Sequence, residues 1–145
     1  MASKFELEKP TFDKAFQRLS VVKVTAARVL TVDEIVNGLV ISDNASAQNV
    51  DLPKAQDVLK ALPDGIQEND HFSLIIKNAK AGTCTLRVNN NSDAGMVLGS
   101  AVVAVASNIT NQYVFVIKKP TLKTDGTAEA GAIEVFCTAT STTDS

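Results

Sequence analysis

A chain of 145 residues, 45% of them apolar, has the length of one domain and can bury a core without disulfide or metal staples. Its net charge of −2 and pI near 5.3, with no basic run longer than Lys118-Lys119, lack the electropositive footprint of a nucleic-acid binder. No stretch reaches the ~18 continuous apolar residues of a membrane span, and the charged start Met1 to Glu6 has no signal-peptide core, so synthesis and assembly in a cytoplasm are expected.

Residues 1–19 form an arm that holds Phe5, Phe12 and Phe16, half of the six phenylalanines, in a segment otherwise rich in charge. Pro10-Thr11 can start a short helix with Thr11 as its cap, which sets Phe12, Phe16 and Leu19 on one stripe. Such a stripe packs either on the chain's own β-core or on a neighbouring subunit or capsid, where buried aromatics contribute most of the contact energy. The β-domain follows over residues 20–145. Val22, Val24, Ala26 and Val29 predict one strand, or two short ones broken near Thr25 to Arg28. Val32 to Asn37 reads as one helical turn, Asn37-Gly38 as a turn, Leu39 to Ile41 as a strand and Asp43 to Gln48 as an exposed polar loop.

Asn49 to Pro53 leads into a helix with Pro53 at its first position, its apolar face made of Ala55, Val58, Leu59 and Leu62 at i, i+3, i+4 and i+7. Pro63-Asp-Gly65 stops that helix, and His71 to Asn78 is a buried strand. Thr83 to Asn89 alternates with period two, Asn89 to Gly95 is a loop, and Ala101 to Ala106 is a strand after the break at Gly99. Gln112 to Lys119 is apolar on both faces, which implies burial between sheets or at a subunit contact. Lys123 to Gly126 turns the chain, Ala132 to Thr138 is the last strand, and Ala139 to Ser145 is a frayed tail. The spacing of these strands predicts a mostly β fold, an antiparallel β-sandwich or jelly-roll-like domain with one short helix. Strands after Phe72 do not alternate with helices, which argues against a parallel α/β sheet.

Reactive chemistry is sparse. No Ser lies in a G-x-S-x-G elbow, and neither a phosphate-binding Gly loop nor H-E-x-x-H occurs. The one histidine, His71, follows Glu68-Asn-Asp70 and reads as a surface residue, while the acidic loop at Asp43 falls short of a calcium-binding pattern. Cys84 and Cys137 both alternate with apolar neighbours, which predicts two buried free thiols; with one histidine and no paired-cysteine spacing, no metal site and no cofactor are expected. The chain is therefore not expected to be an enzyme.

The residues Leu30-Thr31, Ile35, Gly38-Leu-Val-Ile41, Leu52-Pro-Lys-Ala55, Leu59, Leu62-Pro63, Gly65, Asp70, Phe72 and Ile75-Ile-Lys-Asn78 form a pattern that covers about a third of the chain. It resembles one in small virion proteins of tailed bacteriophages and prophages, in a β-rich domain of capsid decoration (cement) proteins or of fibre and spike proteins, commonly trimeric. The insertion Ile66 to Asn69 departs from that pattern. The resemblance implies a structural protein on the outer surface of a phage head, with the major capsid protein and two further copies of itself as partners. The arm residues Phe5, Phe12, Phe16 and Leu19 are then the candidate partner-binding set. The other reading is a fibre, spike or carbohydrate-binding β-module for host attachment; with no Trp and only Tyr113, the stacking residues that sugars need are scarce.

Overall fold

The computed structural model describes residues 19–99 and 104–142. Within them ten strands form two sheets that face each other across one core, successive strands switching sheets except for the last, which joins the ninth in the same sheet. β1 (Ser20–Val24) and β2 (Arg28–Val29) are the two short strands that the break near Thr25 foreshadows. α1 (Val32–Ile35) is a single turn held by a capping box: Thr31 Oγ1 accepts from the Glu34 N–H at 3.3 Å, and Glu34 Oε1 accepts from the Thr31 N–H at 2.9 Å. β3 (Gly38–Ser42) and β4 (Gln48–Asp51) come next, then α2 (Ala55–Ala61), β5 (His71–Asn78) and β6 (Cys84–Arg87). β7 (Met96–Leu98), β8 (Ala104–Val105), β9 (Ile109–Ile117) and β10 (Ile133–Thr142) complete the chain.

The larger sheet has the order β1-β3-β5-β9-β10-β7 and the smaller one β2-β4-β6-β8. In the first half of the chain each strand is followed by one in the opposite sheet, and strands two apart pair in parallel: β1 with β3, β3 with β5, β2 with β4, β4 with β6. The result is three stacked coils. The second half reverses direction, with β9 antiparallel to both β5 and β10 and β8 antiparallel to β6, while β7 runs parallel to β10. The mostly β class with a short helix is therefore as expected, whereas all-antiparallel pairing is corrected: five of the eight pairings among the described residues are parallel. Alternation along a strand reports which face is buried, and that signal is the same for either direction of the neighbour.

Inward-facing side chains of both sheets close the core. Across the larger sheet Val40 lies beside Ile76, Leu74 beside Tyr113 and Phe72 beside Phe115, all buried. The Phe72 and Phe115 rings stack with centroids 4.7 Å apart. Val50, Cys84, Leu86 and Val105 face them from the smaller sheet, and Ile35, Ala55 and Val58 bring both helices onto the same core. Leu59 and Leu62, the rest of the predicted helical face, pack against it half-buried. α2 begins at Ala55, two residues after Pro53, and its N-terminus is capped from a distance: Asp93 Oδ2 accepts from the Ala55 N–H at 2.7 Å.

Three predicted boundaries move. Asn49 and Asp51 lie in β4 instead of leading into the helix, and Ala139 to Thr142 continue β10 opposite Ile109 to Gln112 instead of fraying. The predicted strand Ala101 to Ala106 contributes Ala104 and Val105 to β8, and its first three residues lie outside the described ones.

Gly38 lies close against the end of α1. A Cβ built on it would stand 2.1 Å from the Glu34 carbonyl oxygen, so α1 could not keep its place beside a larger residue, while the Ser20 carbonyl oxygen of β1, at 3.4 Å, would be in ordinary contact. Gly38→Ala should lower stability by on the order of 3 kcal/mol. Urea unfolding measures this, and a midpoint unchanged from the parent protein would refute the close packing of α1 on β3.

Candidate interaction surface

The two sheets present outer faces of different chemistry. On the smaller one Asn49, Thr85 and Ala104 form one row, and Val29, Asp51 and Arg87 the next. Asp51 is held on both oxygens, by Arg87 Nε at 2.7 Å and by the Asn90 N–H at 3.1 Å. Asp51 is thus buried with both of its carboxylate oxygens bonded, and Asn49 beside it is exposed. On the larger sheet the apolar outward positions are Val21 of β1, Leu39 and Ile41 of β3, Ile75 of β5, Val114 and Val116 of β9, Phe136 of β10 and Val97 of β7, with Ser73, Thr110 and Gln112 among them on the same face. The apolar ones form a band across all six strands, about 24 Å wide at the usual strand spacing, in which Ile41 sits between Lys23 and Lys77 and Val116 between His71 and Glu134. Val21, Val97 and Phe136 are 57%, 48% and 47% exposed, and the other five are half-buried only by their neighbours in the sheet. Both helices put their buried residues into the core on the opposite side, so no described element covers the band.

Charges frame this face. Lys23 and Lys77 lie in the row at one end, with Lys23 Nζ 2.9 Å from Asp43 Oδ2, and Glu134 and His71 lie toward the other. The hydrogen bond from Lys23, with the charges of Lys23 and Lys80, holds the Asp43 carboxyl below its ordinary range. Asp43 thus belongs to a surface ion-pair cluster with Lys23 and Lys80. Burial works to raise the Glu34 carboxyl, but the Thr31 N–H and the adjacent Arg28 guanidinium outweigh it and lower the pKa.

Among the described residues no group of three or more His, Cys, Asp or Glu side chains is placed to hold a metal ion. A hollow of about 530 Å³ between β6 and β7 is lined by Leu86, Val88, Met96 and Leu98, with Arg87 its only charged group. A smaller one of about 290 Å³ contains Lys54, Lys123 and Asp93, but both Asp93 oxygens are occupied by the N–H groups of Ala55 and Gly95. His71 is exposed at the start of β5, the surface position its acidic neighbours predict. Among the described residues no helix is long and apolar enough to cross a membrane.

Of the predicted partner-binding residues, Phe5, Phe12 and Phe16 lie outside the described ones, and Leu19 is exposed directly ahead of β1. The apolar band was only partly legible. The two-sided β9 pointed to Val114 and Val116, but Leu39, Ile75 and Phe136 join them only once strand order and register are known. No family model, no curated protein and no solved structure matches this chain.

Cys84 and Cys137 are both free thiols, and they differ. Cys84 is buried and burial pushes its pKa up, whereas Cys137 is half-buried next to the bulge at Thr138, its Sγ 3.5 Å from Thr140 Oγ1. The expectation of two equally buried thiols is thereby corrected. A native thiol titration should label Cys137 first and Cys84 only at the rate of unfolding; equal rates would contradict the packing around Cys84. Tyr113 is fully buried, and burial pushes its hydroxyl up to about 12 although Asn111 Nδ2 donates to it at 3.0 Å. A phenol raised in the folded state favours folding below the unfolded pKa of about 10 and loses that contribution as pH climbs through the folded value. Stability should therefore fall between pH 10 and about 12, by roughly 2–3 kcal/mol from this group. Denaturant melts across that range measure it, and a flat profile would contradict the burial of Tyr113.

Proposed function

We propose that the protein is a structural virion protein, a capsid decoration protein that binds the outer surface of a phage head as an oligomer and stabilises it. The observation that carries the reading is the largely apolar outer face of the six-stranded sheet. A surface of this size and chemistry fits protein-protein contact. The partners on this reading are the major capsid protein and further copies of the chain, in a trimer. Decoration needs no active site: a protein that bridges neighbouring shell subunits lowers the free energy of the assembled shell by mass action on the bound state. The reading as a glycan-binding fibre or spike module is weakened by Tyr113, whose ring is fully buried with its hydroxyl bonded to Asn111, so that the one tyrosine offers no sugar platform.

Within this proposal residues 1–19 are the attachment arm. Each phenylalanine buried against a partner contributes roughly 1.5–3 kcal/mol, so losing Phe5, Phe12 and Phe16 weakens binding by several powers of ten. Full-length protein should bind particles that lack it and raise the temperature at which the shell opens. Protein without residues 1–19 should fold, by circular dichroism and thermal melting, and fail to bind. Absence of binding by the full chain, together with capture by immobilised host-surface glycans, would overturn the proposal. Unimpaired binding by the shortened chain would leave decoration standing and remove the arm as anchor.

A further inference from the structure

Asn37-Gly38, the turn that leads into β3, is the one place in the sequence where glycine follows asparagine. That dipeptide carries chemistry of its own. A main-chain nitrogen can attack the side-chain amide carbon of the asparagine before it, and the attack is easiest from glycine, which has no side chain in the way. Asn37 is exposed, so water and base reach it, while Gly38 behind it is buried. Three contacts hold the pair in place. Asn37 stands at φ 52°, which asparagine tolerates better than most residues, and its Oδ1 accepts from the Ser73 N–H of β5 at 3.1 Å. Gly38 lies in register between Ser20 of β1 and Leu74 of β5. On its third side a Cβ would meet the Glu34 carbonyl oxygen at 2.1 Å, so α1 closes off the space there. Bringing the Gly38 nitrogen onto the Asn37 amide takes rotation about the Asn37 Cα–C bond, which swings the start of β3 away from both neighbouring strands.

We propose that Asn37-Gly38 is a modification site, a deamidation site that the folded domain holds shut and that opens when the start of β3 parts from β5. Water is the only co-reactant. The Gly38 main-chain nitrogen loses its proton to base and bonds to Asn37 Cγ, the Cγ–Nδ2 bond breaks and ammonia leaves, which gives a five-membered succinimide. Water then opens the ring, either at Cγ to leave aspartate or at the main-chain carbonyl to leave isoaspartate, in which the chain runs through Cβ. The two products meet the fold differently. Aspartate keeps an oxygen for the Ser73 N–H and tolerates the positive φ of the site. Isoaspartate adds one backbone atom between α1 and β3, where Gly38 has no space to give, so the register of Gly38 with Ser20 and Leu74 is lost. A chain that opens here and converts to isoaspartate does not return to the same pairing.

The test follows residue 37 by peptide mapping and mass spectrometry, on the full chain kept at mildly alkaline pH with and without urea. In urea, Asn37 should convert to aspartate and isoaspartate ahead of the other asparagines. Without urea it should convert roughly tenfold or more slowly, because only the locally opened fraction reacts. Hydrogen exchange of the Ser73 amide in the native protein gives a second measurement, and its protection should match the slowing. Asn37→Asp should fold and melt close to the parent protein, whereas chains carrying isoaspartate, returned from urea, should melt at a lower temperature. Equal conversion with and without urea, or an unprotected Ser73 amide, overturns the claim that the fold holds the site shut. Conversion in urea that reaches other asparagines first overturns the site itself. Isoaspartate chains that melt with the parent protein overturn the loss of pairing.

Discussion

The fold depends on the inward side of β5. That strand is the third of six in the larger sheet and the one at which pairing changes from parallel, with β3, to antiparallel, with β9. Phe72, Leu74 and Ile76 point from it into the core, each against a buried partner on β3 or β9. At the end of the strand Asn78 Nδ2 donates to the carbonyls of Gly82 and Val105 at 2.8 Å each, which ties the turn after β5 and the start of the return path to the same point. Each of these side chains therefore holds the stacked coils and the antiparallel ribbon together. A buried amide that satisfies two carbonyls also fixes register, because a one-residue slip would send it to the outer face and leave those carbonyls unpaired in the core.

Local signals in the sequence carried most of the elements and little of their arrangement. The helical turn after Thr31, the apolar face of α2 and the alternation of β5, β6 and β9 are written in residues close together in the chain and are found there, whereas the Thr31-Glu34 capping box that holds the turn was not read from the sequence. β4 was hidden because Asn49 and Asp51 disfavour strands; Asp51 stays in one through its bonds to Arg87 and Asn90, more than 30 residues away. The continuation of β10 through Ala139 to Thr142 was missed because a Ser/Thr-rich end reads as solvated, and its pairing with Ile109 to Gln112 supplies what composition did not. Strand direction was illegible for a different reason: period-two alternation encodes which face is buried and carries no information about the neighbour's direction.

The candidate surface has the same history. Val114 and Val116 announced an outer apolar face in the sequence, yet the band is a property of register. It exists because five other strands bring their own outward Val, Leu, Ile and Phe residues beside β9. The four-stranded sheet follows the same alternation with Asn49, Asp51, Thr85 and Arg87 outward beside Val29 and Ala104, so the contrast between the faces reflects residue choice within one architecture. In that light the domain reads as a two-sheet slab with one largely apolar outer face. The capsid-surface proposal supplies a setting in which such a slab acts through contact alone.

The measurement that bears most directly on this account is an image reconstruction of the intact particle at a resolution that separates sheets. The account predicts density for this domain on the outer surface of the head, its copies clustered about a symmetry axis. Density at the tail or baseplate, or none on the head, would contradict it.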